Sequence, residues 1–60
     1  MNYHPTDRLL RLRDVMHLTG LGRSTIYRKI AAASFPQPVK VGQAAVRWRE
    51  SDLSAWMQSL

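Results

Sequence analysis

Gly20-Leu21-Gly22-Arg23-Ser24-Thr25-Ile26-Tyr27-Arg28-Lys29-Ile30 decides how this 60-residue chain folds. It reads as a tight turn followed by an amphipathic helix. Gly20 stands where a preceding helix needs a left-handed residue at its C-terminal end, which glycine adopts without steric cost. Leu21 is apolar inside the turn and points to a core. Gly22 is a serviceable N-cap. From Arg23 the pattern is helical, with Ile26 and Ile30 four apart on one face and Arg23, Ser24, Tyr27 and Arg28 turned away from it. A short helix, a glycine turn and a second helix with hydroxyls and cations on its open side form the arrangement of a DNA-binding helix-turn-helix. The same stretch also fits a plain helical hairpin with a solvated basic face. The flanking sequence has to separate the two.

Toward the N-terminus, residues 13–19 make the first helix. Leu12, Val15, Met16 and Leu18 recur at spacings of three and four and supply its apolar face. Asp14 favours the positive end of the helix dipole. His17 is either a surface residue or a phosphate contact. Before this helix, Arg8-Leu9-Leu10-Arg11-Leu12 alternates from Leu10, as a brief strand or extended lead-in does. Residues 1–7 show no periodicity and contain Pro5, so they read as a flexible arm preceding a single domain over residues 8–60.

Toward the C-terminus, alanines carry the second helix to about residue 33, roughly 16 Å from Arg23 at ~1.5 Å per residue and long enough to cross a major groove. Phe35-Pro36-Gln37-Pro38 is a stiff extended exit. Val39-Lys40-Val41 alternates in, out, in. Gly42-Gln43-Ala44-Ala45 makes a turn, and Val46-Arg47-Trp48-Arg49 alternates again. This is a β-hairpin whose outer face is wholly basic through Lys40, Arg47 and Arg49. Residues 50–60 form the third helix, with Leu53, Trp56, Met57 and Leu60 at i, i+3, i+4 and i+7. Glu50 and Asp52 fall in its first turn, so this acidic pair has a structural rather than a catalytic reason. Trp48 and Trp56 are expected at the heart of the core. The fold class is mainly α with a small β-hairpin: a winged helix-turn-helix of three helices and a two-stranded wing.

Composition narrows the function. The net charge is +5, and all nine cations lie between Arg8 and Arg49. Arg23, Arg28, Lys29, Lys40, Arg47 and Arg49 span a stretch without a carboxylate, so a polyanionic partner is the natural explanation. There is no cysteine, and His4 and His17 lack the company a zinc site needs. No cofactor or metal is expected, nor a membrane partner. With no membrane-length apolar run and no signal-peptide pattern, the expected compartment is the cytoplasm. No nucleophile–base pair and no glycine-rich phosphate loop is present, so an enzyme is not expected.

The order of motifs resembles the AlpA family of phage-derived regulators. The residues that carry the likeness are Arg8 to Leu12; the Thr19-Gly20-Leu21-Gly22-Arg23-Ser24-Thr25-Ile26-Tyr27-Arg28 run; Phe35-Pro36-Gln37-Pro38-Val39-Lys40-Val41-Gly42; and Trp48-Arg49-Glu50-Ser51-Asp52-Leu53-Ser54-Ala55-Trp56. The resemblance covers nearly the whole chain. It implies a MerR-like winged-helix DNA-binding domain of bacteria, phages and prophages, acting as a transcriptional regulator or as an excisionase that directs a site-specific recombinase (an integrase). Three positions depart from the pattern. Arg13 stands where members often have proline, Gly22 where they have serine, and Ala44 where they commonly carry an arginine near the hairpin tip.

The expected partner is double-stranded DNA. The second helix is expected in the major groove, with Arg28 bonding guanine bidentately. Ser24, Thr25 and Tyr27 would contact phosphates or base edges, and Arg23 and Lys29 phosphates. Lys40, Gln43 and Arg47 of the hairpin would lie on the adjacent backbone or minor groove. Tyr27 has an alternative place half in the core, Thr25 one beside Leu21, and Arg49 one covering Trp48 with its stem. The rival reading is a protein-interaction module that holds a recombinase or polymerase component and binds DNA only non-specifically. With no apolar stripe left over, a monomer that binds DNA cooperatively is expected.

Overall fold

The structure is a computed structural model and describes residues 7–60. Its elements run β1 (Leu9–Leu10), α1 (Leu12–Thr19), α2 (Arg23–Ala31), β2 (Val39–Lys40), β3 (Val46–Arg49) and α3 (Glu50–Gln58). This is the three-helix, winged arrangement expected, with one addition. β1 pairs antiparallel with the other edge of β3, so the sheet has three strands in the order β1-β3-β2. Residues 1–6 of the expected arm lie outside the described residues. Asp7 belongs with the domain. Its carboxylate accepts the Ser51 N–H at 3.0 Å and the Ser51 hydroxyl at 2.9 Å. It thereby caps α3, whose own N-cap, Arg49, supplies no side-chain bond. The Arg8 carbonyl accepts the Glu50 N–H at 2.9 Å beside it.

Each segment contributes one residue to the core: Leu10 from β1, Val15 from α1, Ile26 from α2, Phe35 from the α2–β2 connection, Trp48 from β3 and Leu53 from α3. β3 lies at the centre and packs against both α1 and α3. Leu12, Met16, Leu21, Ile30, Val46 and Trp56 pack around this cluster from half-buried positions. Trp56 therefore sits at the rim rather than at the heart of the core. Its ring meets Phe35 at 4.7 Å between centroids, and its indole donates to the Ser34 carbonyl at 3.0 Å. The Trp48 indole donates to the Pro36 carbonyl at 3.0 Å. Two indoles thus fasten the connection that delivers Phe35 to the core, and each N–H finds a partner.

Helix ends follow local chemistry. α1 begins one residue earlier than its periodicity implied, where the Asp14 carboxylate accepts the Arg11 N–H at 3.0 Å. Arg11 cannot complete a capping box, because a guanidinium offers no acceptor. α1 ends at Gly20, left-handed as expected at φ 73°, whose N–H reaches the Met16 carbonyl at 2.8 Å. α2 stops two residues short of residue 33. The Ser34 N–H bonds the Lys29 carbonyl at 2.9 Å and the Ala33 N–H bonds the Ile30 carbonyl at 3.0 Å. That pair of bonds is a Schellman motif, and it holds Ala33 at φ 58°. The left-handed turn swings the chain so that Phe35 enters the core. An L-residue there costs ~1–2 kcal/mol that glycine avoids. Ala33→Gly is expected to stabilise the domain by ~0.5–1 kcal/mol, after the extra unfolded-state entropy of glycine is deducted. A thermal melt checks this; an unchanged or lower midpoint overturns it.

Two expectations from patterning need correction. The apolar repeat of α1 and α3 does not all face inward: Leu18 is 51% exposed, Met57 36% and Leu60 86%. Together with Leu21, Thr19, Lys29 and Trp56 they border a depression of about 260 Å³. An apolar stripe is thus left over at the C-terminal ends of α1 and α3. The second correction concerns the hairpin. A four-residue turn would pair Lys40 with Arg47 and place both on the outer face. The turn is one residue shorter. The Val41 N–H bonds the Ala45 carbonyl at 3.0 Å, and the register pairs Lys40 with Val46 and Val39 with Arg47. Cross-strand partners share a face, and a shift of one residue exchanges the faces. Lys40 therefore leaves the sheet on the side of Val46 and Trp48, and Arg47 on the other, with Val39. Val41 is exposed rather than inward.

Candidate nucleic-acid interface

The site is built on α2. Ile26 is fully buried and Ile30 packs beside it, which fixes the rotation of the helix about its axis. Ser24, Tyr27 and Arg28 consequently form one open stripe, with Arg23 at its N-terminal end, and all four are exposed. Tyr27 is 41% exposed, so part of the residue reaches the open face while the rest is covered. Thr25 and Lys29 are half-buried on the margin of the stripe. Lys29 borders the apolar depression with Leu18, Trp56 and Met57, a step round the helix from Arg28.

The turn before α2 is held tightly. The Thr19 hydroxyl donates to the Val15 carbonyl at 2.7 Å and accepts the Leu21 N–H at 3.2 Å, tying the end of α1 to the turn. Gly22 is the N-cap of α2 at φ −80° and ψ 164°, with no side-chain cap bond.

The hairpin carries the remaining cations. Gln43 is exposed in the Gly42–Gln43–Ala44 loop, and Lys40 is exposed at the end of β2. Arg47 is half-buried, its Nη1 donating to the Val46 carbonyl at 2.8 Å. Because Lys40 and Arg47 leave opposite faces of the sheet, the wing presents a cation on either side rather than one basic face.

Charge is distributed unevenly. Arg49 pairs with Asp52 at 3.7 Å and Arg8 with Glu50 at 3.9 Å, both exposed pairs that contribute little to stability. Among the described residues, Arg23, Arg28, Lys29, Lys40 and Arg47 enter no ion pair. The acidic residues of α3 thus pair with cations at the base of the sheet and leave those of α2, with Lys40 and Arg47 on the wing strands, without an ion pair. Buried side-chain polar atoms without a partner do not occur among the described residues, nor does a group of three His, Asp or Glu side chains able to hold a metal ion. No described helix is long and apolar enough to cross a membrane.

A glycine-turned helix pair, a second helix with an open cationic stripe and an antiparallel hairpin packed beside it define a winged helix-turn-helix domain. Residues 8–60 match the family described as Prophage CP4-57 regulatory protein (AlpA), and the chain belongs to that family. It is 49% identical over 51 residues to the uncharacterized protein ORF88 of Enterobacteria phage P4, a match covering 85% of this chain and 58% of that protein. It is 33% identical over 63 residues to the DNA-binding transcriptional activator AlpA of Escherichia coli K12, covering 95% of this chain and 90% of that protein. The chain thus spans little more than half the length of the phage P4 relative.

Proposed function

We propose that this domain is a sequence-specific DNA-binding protein of phage or prophage type, a transcriptional regulator or an excisionase that directs a recombinase, and not an enzyme. The observation that carries the reading is the open stripe of α2. Arg23, Ser24, Tyr27 and Arg28 are all exposed, none is in an ion pair among the described residues, and no carboxylate lies between Arg23 and Arg49. Such a stripe is costly to leave self-repelling unless a polyanion meets it. α2 enters the major groove, with Arg28 on a guanine edge and Ser24, Thr25 and Tyr27 on base edges or phosphates. Arg23 and Lys29 contact phosphates at the margins. With Lys40 and Arg47 on opposite faces, the wing straddles the backbone beside the groove, and Gln43 leads its tip. The protein works on DNA in the bacterial cytoplasm and binds it cooperatively; the apolar stripe left over on α1 and α3 removes the ground on which a monomer is expected.

The likeness to an AlpA described as a DNA-binding transcriptional activator supports the regulator reading. A second reading, a protein-interaction module for a recombinase or polymerase component, draws on the apolar depression between Leu18, Leu21, Trp56, Met57 and Leu60.

Binding to the DNA flanking the gene, set against a scrambled duplex over a salt series, separates the two. A preference for the flanking DNA that survives at ~0.15 M salt, with a slope of several phosphates, is the expected result. Equal, weak and steeply salt-dependent binding to both duplexes leaves only charge attraction and moves the function to the protein-interaction reading.

A further inference from the structure

The last turns of α1 and α3 border the open depression of about 260 Å³, on which Leu18, Met57 and Leu60 are exposed and Leu21 and Trp56 half-buried. The polar groups around it are mostly spent inside the chain. The Thr19 hydroxyl serves the Val15 carbonyl and the Leu21 N–H. The Trp56 indole donates to the Ser34 carbonyl, and the Trp56 carbonyl accepts the Ser59 N–H at 3.1 Å and the Ser59 hydroxyl at 2.7 Å. The Lys29 ammonium is different. It stands at the rim and makes no ion pair or side-chain hydrogen bond among the described residues.

The chain has no acid to spare for it. Its four side-chain carboxylates are all engaged elsewhere: Asp7 with Ser51, Asp14 with the Arg11 N–H, Glu50 with Arg8 and Asp52 with Arg49. An apolar notch rimmed by an unpaired cation, on a chain of net charge +5, is complementary to a group that is both apolar and negative.

We infer that this depression is the docking site for an acidic amphipathic helix of a partner protein, whose apolar side chains enter between Leu18, Leu21, Trp56 and Met57 and whose carboxylate meets Lys29. The lining is side chains of three helices and a turn, with no strand edge, so a helix laid in the groove fits and an added strand does not. The volume falls short of the ~300–1,000 Å³ of a small-molecule pocket but takes an anchoring leucine or phenylalanine. A second copy fits worse. Seated symmetrically it would set Lys29 against Lys29 and one +5 chain against another, and a stable pair needs about 800 Å² from each partner. The inference rests on the surface from which the protein-interaction reading draws, and names the chemistry of its occupant. It leaves the DNA-binding reading standing, because Leu18, Met57 and Leu60 lie on α1 and beyond, away from the open stripe of α2.

The test is a titration of the 15N-labelled protein with three synthetic amphipathic helices of about 15 residues. They share apolar residues at i, i+3, i+4 and i+7 and carry glutamate, glutamine or lysine on the flanks. The glutamate peptide is expected to shift the amide resonances of Leu18, Leu21, Met57 and Leu60 and to bind with a Kd below ~1 mM. The glutamine peptide should bind about threefold more weakly, and the lysine peptide about tenfold or more. Lys29→Gln should remove most of the difference between glutamate and glutamine, which separates a local ion pair from the pull of net charge. Leu18→Gln and Met57→Gln should each weaken the glutamate peptide by about three- to tenfold, while melting and duplex binding stay as in wild type.

The inference is overturned if no peptide gives saturable shifts up to ~1 mM, or if the three bind equally. Shifts confined to Arg23, Ser24 and Arg28 overturn it too, since the glutamates then mimic DNA on α2. So does a glutamate preference that survives intact in Lys29→Gln. Shifts of the Leu18 and Met57 resonances with protein concentration alone, together with sedimentation as a dimer, would give the face to a second copy instead. The readings of function fail separately, on the flanking and scrambled duplexes, because no DNA enters this titration.

Discussion

Trp48→Ala leaves the domain unfolded at physiological temperature. The side chain is fully buried at the centre of β3, between β1 and β2 and beneath both α1 and α3. Its removal costs ~3–5 kcal/mol through lost transfer free energy and the cavity left behind. It also strips the Pro36 carbonyl of its donor and so loosens the connection that brings Phe35 inward. A chain of 60 residues has only ~3–9 kcal/mol of stability to lose, at ~0.05–0.15 kcal/mol per residue. Trp56→Ala should cost roughly half as much or less, because that ring is half-buried and at the rim. Thermal melts followed by circular dichroism compare the two. A Trp48→Ala protein that still melts cooperatively within a few degrees of wild type contradicts the placement of the core. So does a Trp56→Ala protein that suffers the larger loss.

Arg28→Ala abolishes most of the preference for the flanking DNA. Among the side chains on the open stripe of α2, Arg28 alone combines exposure, a place near the middle of the helix and a fork that can bond guanine O6 and N7 together. Such a pair discriminates by ~1–3 kcal/mol, roughly a five- to 150-fold loss of preference when it is removed. Arg28→Lys keeps the charge and loses the fork, so it should keep general affinity while losing nearly as much preference. Lys40→Ala provides the contrast, weakening all duplexes about equally and flattening the salt slope. Dissociation constants on the flanking duplex and on single-base variants at one salt concentration decide the matter. If Arg28→Ala leaves both affinity and preference unchanged, α2 does not dock as proposed.

These two residues differ in how they could be found. The rotation of α2 was legible because Ile26 and Ile30 are four apart and have no apolar rivals on the other side. One buried stripe implies the opposite exposed stripe, and Arg28 falls on it. Trp48 was legible from its alternation with Arg47 and Arg49. Trp56 and Leu60 were not. They satisfy the helical repeat of Leu53, but α3 ends at Gln58 and the core is already filled from six segments. Periodicity states which residues share a face and not how far along a helix the neighbouring elements reach. Leu18 fails for the same reason, lying exposed in the last turn of α1.

The basic wing shows a different limit. Val39-Lys40-Val41 and Val46-Arg47-Trp48-Arg49 each alternate cleanly, yet alternation within a strand leaves the pairing between strands open. One residue fewer in the turn moved Lys40 to the face opposite Arg47. Phe35 and Asp7 are further cases. Phe35 stood in what reads as an extended exit, and only the left-handed turn at Ala33 brings it inward. Asp7 lies 44 residues from Ser51, so no local pattern links them.

The amino-acid order by itself thus determined the helices, the glycine turn, the basic balance and the family, because these rest on local propensity, short-range periodicity and composition. The register of the wing, the cap that Asp7 places on α3 and the depth at which each apolar stripe ends were decided only by the tertiary structure. Each depends on contacts between distant segments, where hydrogen-bond geometry and the limited volume of a small core choose among arrangements that the local sequence allows equally.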